Sequence, residues 1–260
     1  MILAVETSGR MGSVALAQGP KLLADMQFTG PMRHSAEVFP AIVALLEQFG
    51  KKPNQIEQVY ISVGPGSFTG LRIAVTLAKT TALANGAKIV AVDTLDCIAA
   101  NVINFTAENV EAAEKENVLR QNERLATILD AKRSQFFIAV YEKTQDTRPK
   151  TPLPTTCRGK QDPIWKKILP DCLLTAEEFL DRFAGCPGAP GIALIGEGLV
   201  YYKDKFNDPA VRILDEKLWN PSAASVHLLG WQKAQLGQFE DPIRLTPNYL
   251  RGPDAKVKEM

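Results

Sequence analysis

The sequence predicts a two-lobed α/β protein in which one unit is used twice, and three observations predict it. Apolar strand-like runs alternate with helical periodicities along the chain, which is the order of an α/β fold. The succession hairpin, helix, strand, glycine pair, strand, helix occurs once before residue 103 and again after residue 124. Each copy carries G-x-G at a strand end, Gly64-Pro65-Gly66 and Gly196-Glu197-Gly198. A chain of 260 residues is long enough for two lobes with real cores. The architecture that matches is the duplicated actin-like, ribonuclease-H-like (ASKHA) fold, with mixed sheets flanked by helices. The first lobe is expected to take residues 1–103 plus roughly 220–240, because the last helix of such folds packs back on it. A more divergent second lobe takes 104–219, and residues 241–260 form a tail.

In the first lobe, Ile2–Glu6, Ser13–Gln18 and residues 22–28 are apolar runs separated by Gly and Pro, an antiparallel meander. Val38, Ile42, Leu45, Leu46 and Phe49 fall at helical spacing, with Ser35 as the N-cap and Gly50 as the stop. Residues 58–63 form a strand that ends in Gly64-Pro65-Gly66-Ser67-Phe68-Thr69-Gly70. A long helix from Thr69 closes at Gly86, residues 88–92 form a strand, and 94–102 a helix.

In the second lobe, residues 125–130, the turn 131–134 and residues 135–141 repeat the opening hairpin, with Asp130 where Glu6 stood. Thr175-Ala176-Glu177-Glu178 is a capping box that starts a helix. Residues 192–195 and 211–214 are strands, and a helix from Ser222 closes the set. The charged stretch 104–124 reads as a solvated helix or connector. Five prolines over 144–170 mark an irregular surface excursion, and the polar chain beyond Arg251 reads as loose.

Composition excludes several functions. Thirty Lys+Arg against 29 Asp+Glu give a net charge of +1, without the basic footprint of a protein whose main task is gripping phosphates. No apolar run reaches membrane-spanning length. The start Met1-Ile2-Leu3-Ala4-Val5-Glu6 is no signal peptide, so a cytoplasmic chain is expected. Cys97, Cys157, Cys172 and Cys186 form no C-x-x-C and read as free thiols. The only histidines, His34 and His227, cannot make a zinc peptidase motif, and His34 reads as a capping or packing residue.

Residues 64–72 carry the strongest local signal. Glycines between a strand and a helix N-terminus can cradle an anion, with Thr7, Ser8, Gly66 and Ser67 as the contacts. Equally, Ser67 or Thr69 can simply cap the helix. Leu71-Arg72 stand where a Walker A loop needs Lys-Ser/Thr. In the following helix Gly70, Ala74, Ala78 and Ala82 make a ridge of small residues that admits a close neighbouring helix. That neighbour is either residues 35–49 of the same lobe or a partner subunit. Glu6, Asp93 and Asp130 sit at strand ends, but Glu6 and Asp130 fall in different lobes, so hydrogen-bonding roles are expected and no metal site. No nucleophile–base constellation emerges.

Glu6-Thr7-Ser8, Gly12 to Leu16, His34-Ser35, the block G-P-G-S-F-T-G-L-R at 64–72, Leu129 to Arg133 and Thr246 to Arg251 resemble, in this order, the TsaB (YeaZ) family of bacterial tRNA threonylcarbamoyladenosine biosynthesis. The resemblance implies a non-catalytic paralogue of the transferase TsaD, which modifies adenosine 37 of tRNA. It implies pairing with TsaD, or with a second copy, through the two helices bearing Ser35, Val38 and Ile42 and Phe68, Thr69, Gly70, Arg72, Ile73, Ala74, Leu77 and Ala78. It further implies recruitment of the TsaE ATPase, contact with tRNA only indirectly, no tightly bound cofactor, and ATP/ADP and Mg only through the assembled complex. Asp93-Thr94-Leu95-Asp96 and the stretches 104–124 and 151–170 depart from the family pattern. The alternatives are an ATP-dependent ATPase or phosphotransferase of the actin/sugar-kinase class, and a stand-alone homodimeric binding module.

Overall fold

The computed structural model describes residues 1–108, 119–120, 123–143, 165–184 and 190–251. In the first half β1 (Ile2–Glu6), β2 (Ser13–Gln18) and β3 (Lys21–Gln27) precede α1 (His34–Gln48), β4 (Gln58–Gly64), α2 (Phe68–Asn85), β5 (Lys88–Asp93) and α3 (Thr94–Glu108). The second half has β6 (Arg124–Asp130), β7 (Gln135–Lys143), β8 (Trp165–Thr175), α4 (Ala176–Phe183), β9 (Ile192–Ile195), α5 (Leu199–Tyr202), β10 (Val211–Ile213) and α6 (Ala223–Gln235).

The two five-stranded sheets have orders β3-β2-β1-β4-β5 and β8-β7-β6-β9-β10, which match position for position. In each, the first strand pairs antiparallel with the second and parallel with the fourth. The fold is therefore the duplicated ASKHA architecture. The centre of each sheet is apolar on both faces, as covered parallel strands require: every residue of β1 and of β9 is buried. Gly64 (φ +123°) and Gly196 (φ +128°) close β4 and β9 in equivalent places, a backbone that side chains rarely adopt.

Helices α1 and α2 cover one face of the first sheet, packing Val38, Leu45, Ala74 and Ala78 against Leu3, Val5 and Ile61. Helix α6 covers the other, with Ala223 and Val226 against Ala4, Ala15, Tyr60 and Val90. The exchange is reciprocal: Leu95, Ile98, Ala99 and Val102 of α3, placed by sequence in the first lobe, lie in the second lobe's core.

Several expectations change. Helix α1 begins at His34 with Arg33 at the cap and no capping side chain; Ser35 is exposed in the first turn. Instead Glu37 accepts the Thr29 backbone N–H at 2.6 Å and hydroxyl at 2.7 Å, tying down the preceding loop. Strand β8 was unexpected. It is an edge strand paired to β7 with register shifts between Ile138 and Val140 and between Val140 and Tyr141. Pro170 faces out beside that irregularity, which is where a sheet tolerates proline. Glu123 is buried rather than solvated, and takes Arg212 Nε at 3.0 Å and Nη2 at 2.6 Å. The remaining expectations for 109–118, 144–164 and 252–260, with Cys157 and Cys186, lie outside the described residues. Cys97 is buried and Cys172 half-buried, both free. Among the described residues no helix is long and apolar enough to cross a membrane.

Candidate functional site

The ends of β1, β4, β6 and β9 meet at a cleft of about 870 Å³ between the lobes. Ser8, Gly66 and Ser67 line it, together with Arg10, Asp130, Lys132, Glu197 and Tyr201. Thr7 stays beneath, where its hydroxyl donates to the Gly70 carbonyl at 2.7 Å. A Cβ on Gly70 would stand 1.7 Å from the Thr7 carbonyl oxygen, so glycine is what lets α2 start against β1. Ser67 caps α2, accepting the Gly70 N–H at 3.3 Å.

Carboxyl groups from both lobes gather at and beneath the cleft, Asp130 and Glu197 in its lining and Glu6 below it. Glu6 is fully buried, with Oε1 accepting the Ser8 N–H at 2.5 Å, the Ser8 hydroxyl and the Gly9 N–H at 3.3 Å. Burial pushes its carboxyl up, against the pull of the Ser62 and Ser8 hydroxyls. Glu197, from the second G-x-G, accepts the Arg10 N–H at 2.7 Å across the lobe boundary. Burial, opposed by that hydrogen bond and aided by the charges of Glu6 and Asp130, pushes Glu197 up to about 7. Asp130 is held by Lys132 Nζ at 2.7 Å. The acids of the two lobes thus come close enough to feel one another, and the acid that joins Glu6 and Asp130 is Glu197 rather than Asp93. Asp93 lies elsewhere, near Asp96 and Lys167. Among the described residues no group of three His, Cys, Asp or Glu can hold a metal ion. His34 is a packing residue: it is buried beside Phe28, and its Nε2 bonds the Gly9 carbonyl at 3.0 Å. His227 is likewise buried, stacked on Tyr60 and bonded to the Gly19 carbonyl at 3.0 Å.

A C-terminal segment straps the cleft. The Asn248 N–H donates to the Val63 carbonyl of β4 at 2.7 Å, and Arg251 Nη1 to the Ala131 carbonyl of the second lobe at 2.6 Å. The turn it grips holds Lys132, Arg133 and Ser134 at positive φ (66°, 55°, 59°), a costly run for residues other than glycine.

The second surface is an apolar groove of about 680 Å³ between α1 and α2. Phe39 and Val43 stand 60% and 49% exposed beside it, with Ile42 and Leu77 at its floor and Phe68, Thr69, Arg72 and Ile73 along its wall. Exposed aromatic and branched side chains gathered on one face make a contiguous apolar patch, the kind of surface on which proteins interact. The ridge of small residues is not part of it. Ala74 and Ala78 are 0% exposed, and Gly70 and Val38 are buried too, because the ridge seats α2 on its own sheet. The residues of α1 and α2 exposed along this side are Ser35, Phe39, Val43, Thr69, Arg72 and Thr76.

The fold and these two surfaces define a two-lobed ASKHA-fold protein with a strapped cleft between the lobes and an open helical groove. A family model described as "TsaD: tRNA N6-adenosine threonylcarbamoyltransferase" matches residues 31–157. The chain is 31% identical to the tRNA threonylcarbamoyladenosine biosynthesis protein TsaB of Bacillus subtilis (strain 168), over 99% of this chain and 96% of that protein. It is 26% identical to the protein of the same name from Escherichia coli (strain K12), over 99% and 97%. A solved structure titled "YeaZ from Pseudomonas aeruginosa" superposes with a TM-score of 0.68 at 23% identity, covering 96% of this chain and 99% of that one, a likeness in fold. The chain belongs to the TsaB family.

Proposed function

We propose that this chain serves in tRNA threonylcarbamoyladenosine biosynthesis as a non-catalytic subunit, docking a TsaD-type transferase in the groove between α1 and α2. The observation that carries the proposal is that groove: Phe39 and Val43 project beside an apolar trough, in a chain whose family relatives are named for this pathway. Leaving such side chains in water costs on the order of 1.5–3 kcal/mol each relative to burial, so a partner face that covers them gains binding energy. The chain's part is to present a rigid face, and the transferase supplies the chemistry. The TsaE-type ATPase joins the assembled pair, and nucleotide and Mg act there. The same groove would seat a second copy of the chain when transferase is absent.

The test is co-purification with the cognate transferase, with tRNA modification assayed in the mixture. Phe39→Asp places a charge in the groove without touching the core. It is expected to weaken pairing at least about tenfold and to reduce modification, with the fold unchanged by circular dichroism. Normal pairing by Phe39→Asp would remove the groove as the docking site. Turnover by the isolated chain would remove the non-catalytic role. Arginine at Ala74 or Ala78 is no test, because it buries an unpaired charge and unfolds the lobe.

A further inference from the structure

We propose that Arg72 is a pre-set receptor for a carboxylate of the docked partner, and that Tyr249 of the C-terminal strap is the residue that sets it. This rests on the groove being the docking site. Among the described residues lining that groove, Arg72 is the only charged one. It is exposed, yet it is not loose. Its guanidinium carbon lies 3.8 Å over the Phe68 ring, and its Nε donates to the Tyr249 hydroxyl at 3.3 Å. The Tyr249 ring packs on Phe68 with centroids 4.8 Å apart. Tyr249 is in turn fixed by its neighbours in the strap, Asn248 on β4 and Arg251 on the second lobe.

With Nε engaged and the plane stacked, the Nη groups of Arg72 have no acceptor among the described residues. A planar guanidinium held by a stack has given up its rotamer freedom before binding, so less is lost when it meets an acid. The ligand chemistry that fits an end-on Nη1/Nη2 pair is a carboxylate, bound bidentately. The occupant is therefore an apolar face of the transferase that carries an Asp or Glu at the Arg72 end of the groove. Carboxylate capture at the rim sets register, while the trough supplies burial.

The experiment measures affinity of the full chain for its transferase by calorimetry. Arg72→Glu is expected to weaken binding by about a hundredfold and Arg72→Ala by about tenfold. Tyr249→Phe keeps the ring stack and removes only the hydroxyl, so it should leave the melting temperature unchanged and weaken binding about threefold. In the Arg72→Ala background Tyr249→Phe should have no further effect, which a merely structural role for Tyr249 would not produce. Wild-type affinity in Arg72→Glu overturns the carboxylate receptor. Equal losses from Tyr249→Phe in both backgrounds overturn the positioning role. Phe39→Asp is run alongside: if it binds normally, the docking reading itself falls, whereas its loss together with an unaffected Arg72→Glu removes only the present inference.

Discussion

Glu197 makes the stability of this protein depend on pH with a sign opposite to that of most carboxylates. Its folded-state value of about 7 stands above its ordinary 4.5. The native chain therefore holds a proton there that the unfolded chain has already lost between these values. Stability contributed by the protonated group is whole below pH 4.5 and is lost as pH rises through 7. A difference of about 2.5 units at 1.36 kcal/mol each amounts to about 3 kcal/mol. Glu6, also pushed up by burial, acts in the same direction. Glu197→Gln mimics the protonated acid, can still accept the Arg10 N–H, and does not ionise. Urea melts of wild type and Glu197→Gln at half-unit steps from pH 5 to 8.5 provide the assay. The variant should match wild type near pH 5 and exceed it by about 2–3 kcal/mol at pH 8.5. A gap that stays constant with pH would refute the assignment of the raised acid to Glu197, and a gap that closes with rising pH would reverse its sign.

Two further outcomes follow from geometry. Gly70→Ala puts a methyl 1.7 Å from the Thr7 carbonyl oxygen, so α2 must lift from β1. The loss should reach about 3 kcal/mol despite a gain of about 1 kcal/mol in helix propensity, a fall of roughly 6–12 °C in a calorimetric melt. Thr175→Ala removes half of the capping box, in which Thr175 Oγ1 accepts the Glu178 N–H at 3.2 Å and Glu178 returns a bond at 2.7 Å. A loss of about 1 kcal/mol is expected, and an unchanged midpoint in urea would show that α4 does not depend on its cap.

Much of the fold was legible because its signals are local. Glycine pairs at strand ends, the runs of β1 and β6, and the Thr175–Glu178 box each write their element into a few adjacent residues. Strand β8 was hidden because Lys166, Lys167, Pro170 and Asp171 interrupt any alternation, and an edge strand can tolerate all four. The ridge from Gly70 to Ala82 was legible as a close-packing face, but periodicity cannot say which neighbour approaches; here it is the chain's own sheet. The actual open face carries Phe39 and Val43, one turn apart on a helix otherwise read as amphipathic. Glu197 went unread because its importance comes from Arg10, 187 positions away. Tyr249 likewise meets Arg72, 177 positions earlier. Contacts of that span leave no pattern in neighbouring residues.

The reciprocal exchange of α3 and α6 has a consequence for how the chain is made. The face of the first sheet carrying Ala4, Ala15, Tyr60 and Val90 is covered by α6, yet residues 94–222 are synthesised in between. At ribosomal speeds that interval is on the order of 10 s. Throughout it, the first lobe has its groove side built while its other side lacks α6. A nascent or truncated chain therefore offers an apolar sheet face without its helix beside a nearly finished groove between α1 and α2. The first lobe is complete only once α6 has been made, and an α6 lesion should send the protein to degradation while leaving every groove residue in place.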